Sequence, residues 1–164
     1  MSSSPALDSI HSRIFKDRKD LRLHISKQHP SQKVVFTNGC FDILHHGHIY
    51  TLTRAKDLGS ILVVGVNADS SVRKLKGPAR PINNENDRAL LIASLACVDY
   101  VIVFTEDTPI EAILDLRPDI HVKGGDYKAE NLPERDAVVA GGGRIVVVPY
   151  EAGYSTTSIL EKSK

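Results

Sequence analysis

Three histidines, His45, His46 and His48, stand within four residues, shortly after an apolar run. An imidazole can bind a transition metal or donate a hydrogen bond to a phosphate oxygen, and it can also simply face solvent at a helix end. The stretch FTNGCFDILHHGH at residues 36–48 therefore leaves three interpretations: a metal site, a phosphate-binding site, or an accident of local composition.

The ligand set disfavours the metal site. Asp42 and the histidines could supply part of a zinc site, but structural zinc generally takes four ligands, often with paired cysteines. The two cysteines, Cys40 and Cys97, are far apart in the sequence, and no second cluster of histidines or cysteines exists. We therefore expect no metal held by protein side chains.

Phosphate binding suits the stretch better. Asn38 and Gly39 favour a tight turn after the apolar run, and a helical segment follows, whose unpaired N–H groups and positive dipole end attract anions. Gly47 lets a ligand approach the backbone closely. His45 and His48 are three residues apart and can face one point. The sequence thus favours a phosphate site over exposed cap residues.

Polar segments also follow the later apolar runs. The basic segment VRKLKGPARP (72–81) is predicted to be a mobile loop that could close over a polyphosphate. VKGGDY (122–127) suits a bend that brings backbone against a ligand. The hydroxyl-rich GYSTTSILEK (153–162) fits a capping box or a second phosphate cradle. Each segment alone would also fit a solvated turn or helix cap.

The elements that must position these segments alternate along the chain. Continuous apolar runs predict five strands covered on both faces, and the intervening segments predict helices. The strands are 33–38, 61–67, 99–104, 119–123 and 144–149, and the helices are about 47–59, 84–97, 108–116 and 133–140. This order predicts an α/β fold, a Rossmann-like doubly wound parallel five-stranded sheet with helices on both faces. Ligands bind such sheets beyond the carboxyl ends of the strands, where the polar segments lie.

Size and charge restrict the class of protein. The chain has 164 residues and a formal net charge of +1, so no global field recruits nucleic acid or a membrane surface. We expect a cytoplasmic protein without a signal peptide or membrane span. Residues 1–30 are polar with a weak helical pattern and are predicted to form an N-terminal helical arm, and residues 31–164 are predicted to form the main domain.

The run GCFDILHHGH resembles the signature of the H-x-G-H nucleotidyltransferases, an α/β superfamily shared with class I aminoacyl-tRNA synthetases. Many relatives carry threonine where this chain has Cys40, so we expect a packing cysteine there and not a nucleophile. The resemblance implies nucleotide binding by seven residues of the first loop: Asn38, Gly39, Cys40, Phe41, His45, Gly47 and His48.

The resemblance extends to the later segments. It implies that a lysine of the basic segment, Lys76 in preference to Lys74, contacts phosphates, and that Arg88 reaches a nucleotide phosphate. The remaining nucleotide-binding residues that it implies are Lys123, Gly124, Asp126, Ser155, Thr156 and Thr157. Some relatives have an arginine where this chain has Tyr150. Tyrosine lacks that charge, so we expect one charge contact to be missing here. The expected sugar-phosphate-binding residues are Asp42, Asn67 and Arg80.

From about residue 33 onward the chain resembles the adenylyltransferases of ADP-heptose synthesis. The resemblance implies transfer of AMP from ATP to D-glycero-β-D-manno-heptose 1-phosphate, with His45, His48 and Lys76 as catalytic residues. Mg²⁺ would be bound mainly through nucleotide phosphates. The expected partners are these two small molecules and a homo-oligomer, dimer or higher. The alternatives are a cytidylyltransferase acting on glycerol 3-phosphate or a similar alcohol phosphate, and a non-catalytic nucleotide-binding regulator.

Overall fold

The computed structural model describes residues 4–149, and within them six strands form one sheet. The strands are β1 (Ile14–Phe15), β2 (Val34–Gly39), β3 (Ile61–Asn67), β4 (Tyr100–Phe104), β5 (Ile120–Gly124) and β6 (Arg144–Val148). The helices are α1 (Pro5–His11), α2 (Arg18–Gln28), α3 (His46–Lys56), α4 (Asp69–Lys76), α5 (Glu85–Ala93), α6 (Ile110–Leu116) and α7 (Arg135–Ala140). A short 3₁₀ turn covers Ala129–Asn131. The predicted α/β class is confirmed.

The order of the strands locates the ligand-binding edge. The sheet runs β1-β4-β3-β2-β5-β6, and every neighbouring pair is parallel. After β2 the chain adds β3 and β4 on one side, and it then crosses to the other side of β2 to add β5 and β6. The order therefore reverses between β2 and β5, and the segments that follow these two strands flank the crevice where such sheets bind ligands.

Alternate residues of the strands pack into two apolar layers. In β2, Val35 joins the layer that contains α3 and α5, whereas Val34 and Phe36 join the layer that contains α2, α6 and α7. All seven residues of β3 are buried. Apolar residues on both faces are what a parallel sheet covered by helices requires, so the continuous runs in the sequence predicted these strands correctly.

Three features differ from the prediction. The sheet has six strands and not five, because the two-residue strand β1 pairs with β4 through Ile14 and Phe15, a length too short for a periodic signal. The N-terminal residues do more than form an arm, since Leu21 and Ile25 of α2 are buried in the core. The basic segment begins inside α4 and leaves that helix at Gly77, whose φ of 93° suits glycine.

Among residues 4–149, no helix is both long enough and apolar enough to cross a membrane.

Candidate active site

The two histidines of the H-x-G-H motif lie together at the start of α3. His45 is the N-cap residue of this helix, and its side chain makes no capping hydrogen bond. The His45 and His48 rings stack with centroids 3.8 Å apart and planes 23° apart. The Nδ1 atom of each ring is buried and has no hydrogen-bond partner. Buried polar atoms are rarely left unpaired, so this pair has the character of a binding site and not of a helix cap.

Burial keeps both imidazoles uncharged near neutral pH. Desolvation, with smaller effects from His45 and from the ammonium of Lys76, lowers the pKa of His48 to about 4. Desolvation and then Lys76 also lower the pKa of His45. A bound phosphate would oppose these effects, because an adjacent negative charge favours the protonated ring. The pair can therefore donate hydrogen bonds to an anion, and it becomes better suited to do so when the anion is present.

The backbone before the histidines is strained and closely packed. Phe41 has a φ of 48°, in the left-handed region that bulky residues rarely adopt. Its ring contacts the ring of His48, with centroids 5.2 Å apart. A Cβ on Gly39 would lie 3.1 Å from the Phe41 ring, so glycine at this position lets the ring lie against the strand end. Strain of this kind occurs at binding sites, and here it places an aromatic ring against one of the histidines.

Asp42 anchors the loop from inside. Its side chain is completely buried, and its carboxylate accepts hydrogen bonds from Arg80 Nε and from the backbone N–H groups of Ile82 and Asn83. Burial opposes ionisation, but these donors outweigh it and lower the pKa of Asp42. The carboxylate is thus committed to the segment before α5. We expected Asp42 and Arg80 to bind the sugar phosphate, and the structure instead pairs them with each other. Arg80 keeps one buried amino group, NH2, without a partner.

Arg88 joins three loops. Its side chain has 0% exposure, and it donates to the carbonyl oxygens of three residues and to one carboxylate. The acceptors are Asn83 O (2.9 Å), Cys40 O (2.6 Å), Asn67 O (2.7 Å) and Asp69 Oδ1 (2.6 Å). The expected phosphate contact would need a guanidinium that faces the crevice. These bonds give Arg88 a positioning role, which is to hold the ends of β2 and β3 and the start of α5 together.

The two lysines of the basic segment have different surroundings. Lys74 lies on the surface and pairs with Asp107, with Nζ and Oδ1 3.1 Å apart. Lys76, the last residue of α4, is near enough to act on the pKa of Cys40, His45 and His48. Both lysines are exposed, but Lys76 acts on the histidine pair whereas Lys74 is in a surface ion pair, and the contact of Lys76 with phosphates stays a prediction.

Some of the remaining expected residues lie in the part of the chain that the structure describes, and others lie outside it. The amide of Asn67 is buried and donates to Ser71 Oγ (3.1 Å), whereas Asn38 Oδ1 is buried and unpaired. Burial raises the pKa of the Cys40 thiol, which fits a packing cysteine. Ser155, Thr156 and Thr157 lie outside the described residues, and their nucleotide contacts stay a prediction.

The loop after β5 lies across the switch point from the histidines. Lys123 pairs with Glu134, with Nζ and Oε1 2.7 Å apart, and Asp126 is exposed. A Cβ on Gly124 would lie 3.1 Å from Thr51 Cγ2 of α3, so glycine permits the close approach of this loop to the helix that carries the histidines. Gly124 of VKGGDY therefore lies against the helix that begins with the H-x-G-H motif, and the nucleotide contacts of Lys123 and Asp126 stay a prediction.

Sequence reasoning missed Asn83, Asp69 and Glu134. Asn83 donates from its Nδ2 to the carbonyl oxygen of Asp42 (2.8 Å), and Asp69 receives Arg88. Only Asp69 carried a local signal, since an acidic residue in the first turn of a helix that follows a strand is a frequent feature of such loops. The other two residues act through partners distant in the sequence.

The cytidylyltransferase-like family matches residues 36–162, which include the histidine pair and the loops on both sides of the switch point. The chain belongs to this family. The prediction of an H-x-G-H nucleotidyltransferase enzyme is thereby confirmed.

The curated relatives that this chain matches are longer proteins. The bifunctional protein HldE of Syntrophotalea carbinolica is 54% identical over 129 residues, which cover 79% of this chain and 26% of that protein. HldE of Helicobacter pylori is 51% identical over 158 residues, 96% of this chain and 33% of that protein. The chain thus spans about a quarter to a third of the curated relatives it matches.

Solved structures share the fold. A lipopolysaccharide core biosynthesis protein of Thermoplasma volcanium is 35% identical, with a TM-score of 0.62, and the match covers 74% of this chain and 98% of that chain. A pantothenate synthetase of Thermus thermophilus is 19% identical with a TM-score of 0.56, over 91% of this chain and 70% of that chain. The second similarity shows the fold alone.

Proposed function

We propose that the chain transfers AMP from ATP to D-glycero-β-D-manno-heptose 1-phosphate, giving ADP-heptose and pyrophosphate for the inner core of lipopolysaccharide. The observation that carries the proposal is the stacked His45–His48 pair, with two buried, unpaired Nδ1 atoms at the switch point. The choice of substrate is supported by the resemblance to the ADP-heptose family and by the similarity to HldE and to a lipopolysaccharide core biosynthesis protein.

The reaction needs alignment and charge stabilisation more than proton transfer. An oxygen of the sugar 1-phosphate attacks the α-phosphorus of ATP, a new P–O bond forms, and the bond to the pyrophosphate oxygen breaks. The attacking phosphate is already ionised near neutral pH, so no general base is required. His45 and His48 donate hydrogen bonds to the phosphoryl oxygens as charge grows on them, and Lys76 attracts the leaving pyrophosphate.

The protein scaffold explains why such donors would be effective. Asp42 and Arg88 fix the backbone from Cys40 to Asp42 against the start of α5. Donors held in place by buried contacts do not have to reorganise when the transition state forms. The proposed role of both residues is to keep the histidine loop in place.

The side chains between residues 4 and 149 suit a magnesium ion only if nucleotide phosphates supply most of its ligands. Between residues 4 and 149, no three His, Cys, Asp or Glu side chains gather as ligands, and the Asp42 carboxylate is occupied by three donors. Mg²⁺ is often held by substrate phosphates with few protein ligands, and we propose that it enters with ATP. When bound, it neutralises phosphate charge. ATP as the donor also favours a cytoplasmic location; the homo-oligomer stays a prediction.

The test is a matrix of nucleoside triphosphates against sugar and polyol phosphates, read by release of pyrophosphate. We expect the highest kcat/KM for ATP with D-glycero-β-D-manno-heptose 1-phosphate. A maximum for CTP with glycerol 3-phosphate or another alcohol phosphate would replace the proposal with the cytidylyltransferase alternative. Tight ATP binding without pyrophosphate from any acceptor would indicate a nucleotide-binding regulator.

A further inference from the structure

A buried ionic trio lies beneath the loop that follows β5. Glu134 and His121 have side-chain exposures of 1% and 0%, and the Glu134 carboxylate receives His121 Nε2 at 3.2 Å and Lys123 Nζ at 2.7 Å. His121 also stacks on Phe36 of β2, with ring centroids 5.6 Å apart. The trio thus occupies a layer that is otherwise apolar, between the centre of the sheet and the segment that leads into α7.

Within the trio, Lys123 supplies the positive charge that balances the buried Glu134 carboxylate. Burial lowers the pKa of His121, so that ring is a neutral hydrogen-bond donor near pH 7. Burial alone would raise the pKa of Glu134, but the hydrogen bonds from His121 and Lys123 outweigh it and lower the pKa to about 2. A buried carboxylate without a cation is strongly unfavourable. The Lys123 ammonium is therefore held firmly at one point.

Stability alone does not account for this arrangement. Replacing a buried ion pair by apolar side chains of similar volume is often neutral or stabilising. Stability therefore does not require the trio, whereas its contacts fix the position of the Lys123 ammonium.

Lys123 lies near the carboxyl end of β5, where ligands of such sheets bind. It is the last residue but one of β5, directly before Gly124 and Gly125, and its side chain is 21% exposed. An ammonium has three N–H donors, and the structure assigns one of them to Glu134. β5 adjoins β2 on the far side of the switch point from β3, so Lys123 lies at the same carboxyl edge of the sheet as the loop that carries the histidine pair.

We propose that Glu134 is a positioning residue, which holds the Lys123 ammonium at the switch point so that it donates to the bound nucleotide. This inference rests on the proposed function, in which that nucleotide is ATP. Glu134 does not itself touch the ligand, and its effect passes through Lys123. It should therefore change nucleotide binding without changing the interaction with the sugar phosphate.

The experiment compares ATP dissociation constants, measured by calorimetry on the full chain, with KM values for both substrates. Glu134→Gln should raise the Kd for ATP about tenfold, the loss expected for one charge-assisted hydrogen bond, and leave the KM for the sugar phosphate within about twofold. In a Lys123→Met background, Glu134→Gln should add no further loss of ATP affinity, because the residue through which it acts is gone. Lys56→Met is the matched control, since it removes a lysine from another ion pair, with Asp99.

Lys123→Arg covers the case in which Glu134→Gln does not fold. Arginine retains the ion pair but moves the donors, so its melting temperature should match that of wild type while the Kd for ATP rises. Unchanged ATP affinity in Lys123→Arg, or additive losses in the double variant, would overturn the inference. Wild-type protein that binds CTP and not ATP would refute adenylyl transfer alone, and the same variants would then be compared with CTP. Wild-type protein that binds neither nucleotide would overturn both proposals.

Discussion

The imidazole rings of His45 and His48 lie face to face, with their centroids 3.8 Å apart, and two residues of the chain separate them. The contact follows from the geometry of the helix start, since His45 is the extended N-cap residue and an N-cap side chain lies toward the third residue of the helix, here His48. Two neutral rings can lie this close, whereas two imidazolium rings would repel each other. The stacked arrangement therefore suits two uncharged rings, and we expect a bound anion to favour protonation of the pair.

Replacing either histidine should lower turnover strongly. We expect His45→Asn and His48→Asn each to reduce kcat by about 10²–10³, the effect of losing one transition-state donor. Circular dichroism and thermal melting would check the fold of each variant, since His48 is a residue of α3. His11→Asn, at an exposed histidine at the end of α1, is the control. Near wild-type turnover in both site variants would remove the imidazoles from the mechanism.

Acid should destabilise the protein through His48. Its pKa is about 4 in the folded chain and 6.5 ordinarily, so between these values the unfolded chain binds a proton that the folded chain does not. Stability from this group is present above pH 6.5 and lost as the pH falls toward 4, by about 3 kcal/mol. Urea unfolding of wild type and His48→Asn at several pH values would measure the difference. Parallel stability curves for the two proteins would contradict the prediction.

Arg88 should affect stability as much as activity. Arg88→Lys cannot reach four acceptors in three loops, and it leaves a buried carbonyl or carboxylate without its donor. We expect the free energy of unfolding to fall by about 3 kcal/mol, as read by urea denaturation. Arg144→Lys, at an exposed position, should change little. If Arg88→Lys unfolded like wild type and lost only ATP affinity, the phosphate contact expected from the resemblance would be correct.

The sequence predicted the fold better than the roles of single charges. Continuous apolar runs identify β2 to β6 because a parallel strand between two layers of helices carries apolar residues on both faces. The strand Ile14–Phe15 has no such signal, since two residues show no period. Likewise, the glycine and prolines at 77–81 concealed the helix α4 that precedes them.

The same limit applies to the site. The histidine pair was predictable because its members are three residues apart at the start of a helix, where the N-cap residue and the third helical residue are neighbours. Whether Asp42 faces a ligand or a neighbouring loop depends on Ile82 and Asn83, whose N–H groups lie 40 and 41 residues away. The sequence therefore left two possible partners for a charged residue near a binding motif, a ligand or a neighbouring loop. Only the packing of the loops shows which of the two it contacts.

The two lysines of the basic segment should behave differently, because only Lys76 lies within electrostatic reach of the histidine pair. We expect Lys76→Gln to lower kcat/KM for ATP by about 10², with a smaller change for the sugar phosphate. Lys74→Gln is its matched control: both residues of the Lys74–Asp107 pair are more than 60% exposed, and exposed pairs contribute little. Steady-state kinetics with each substrate varied in turn would measure both effects. A loss confined to the sugar phosphate would move Lys76 away from the nucleotide, and an equal loss in Lys74→Gln would show that the segment acts through its total charge.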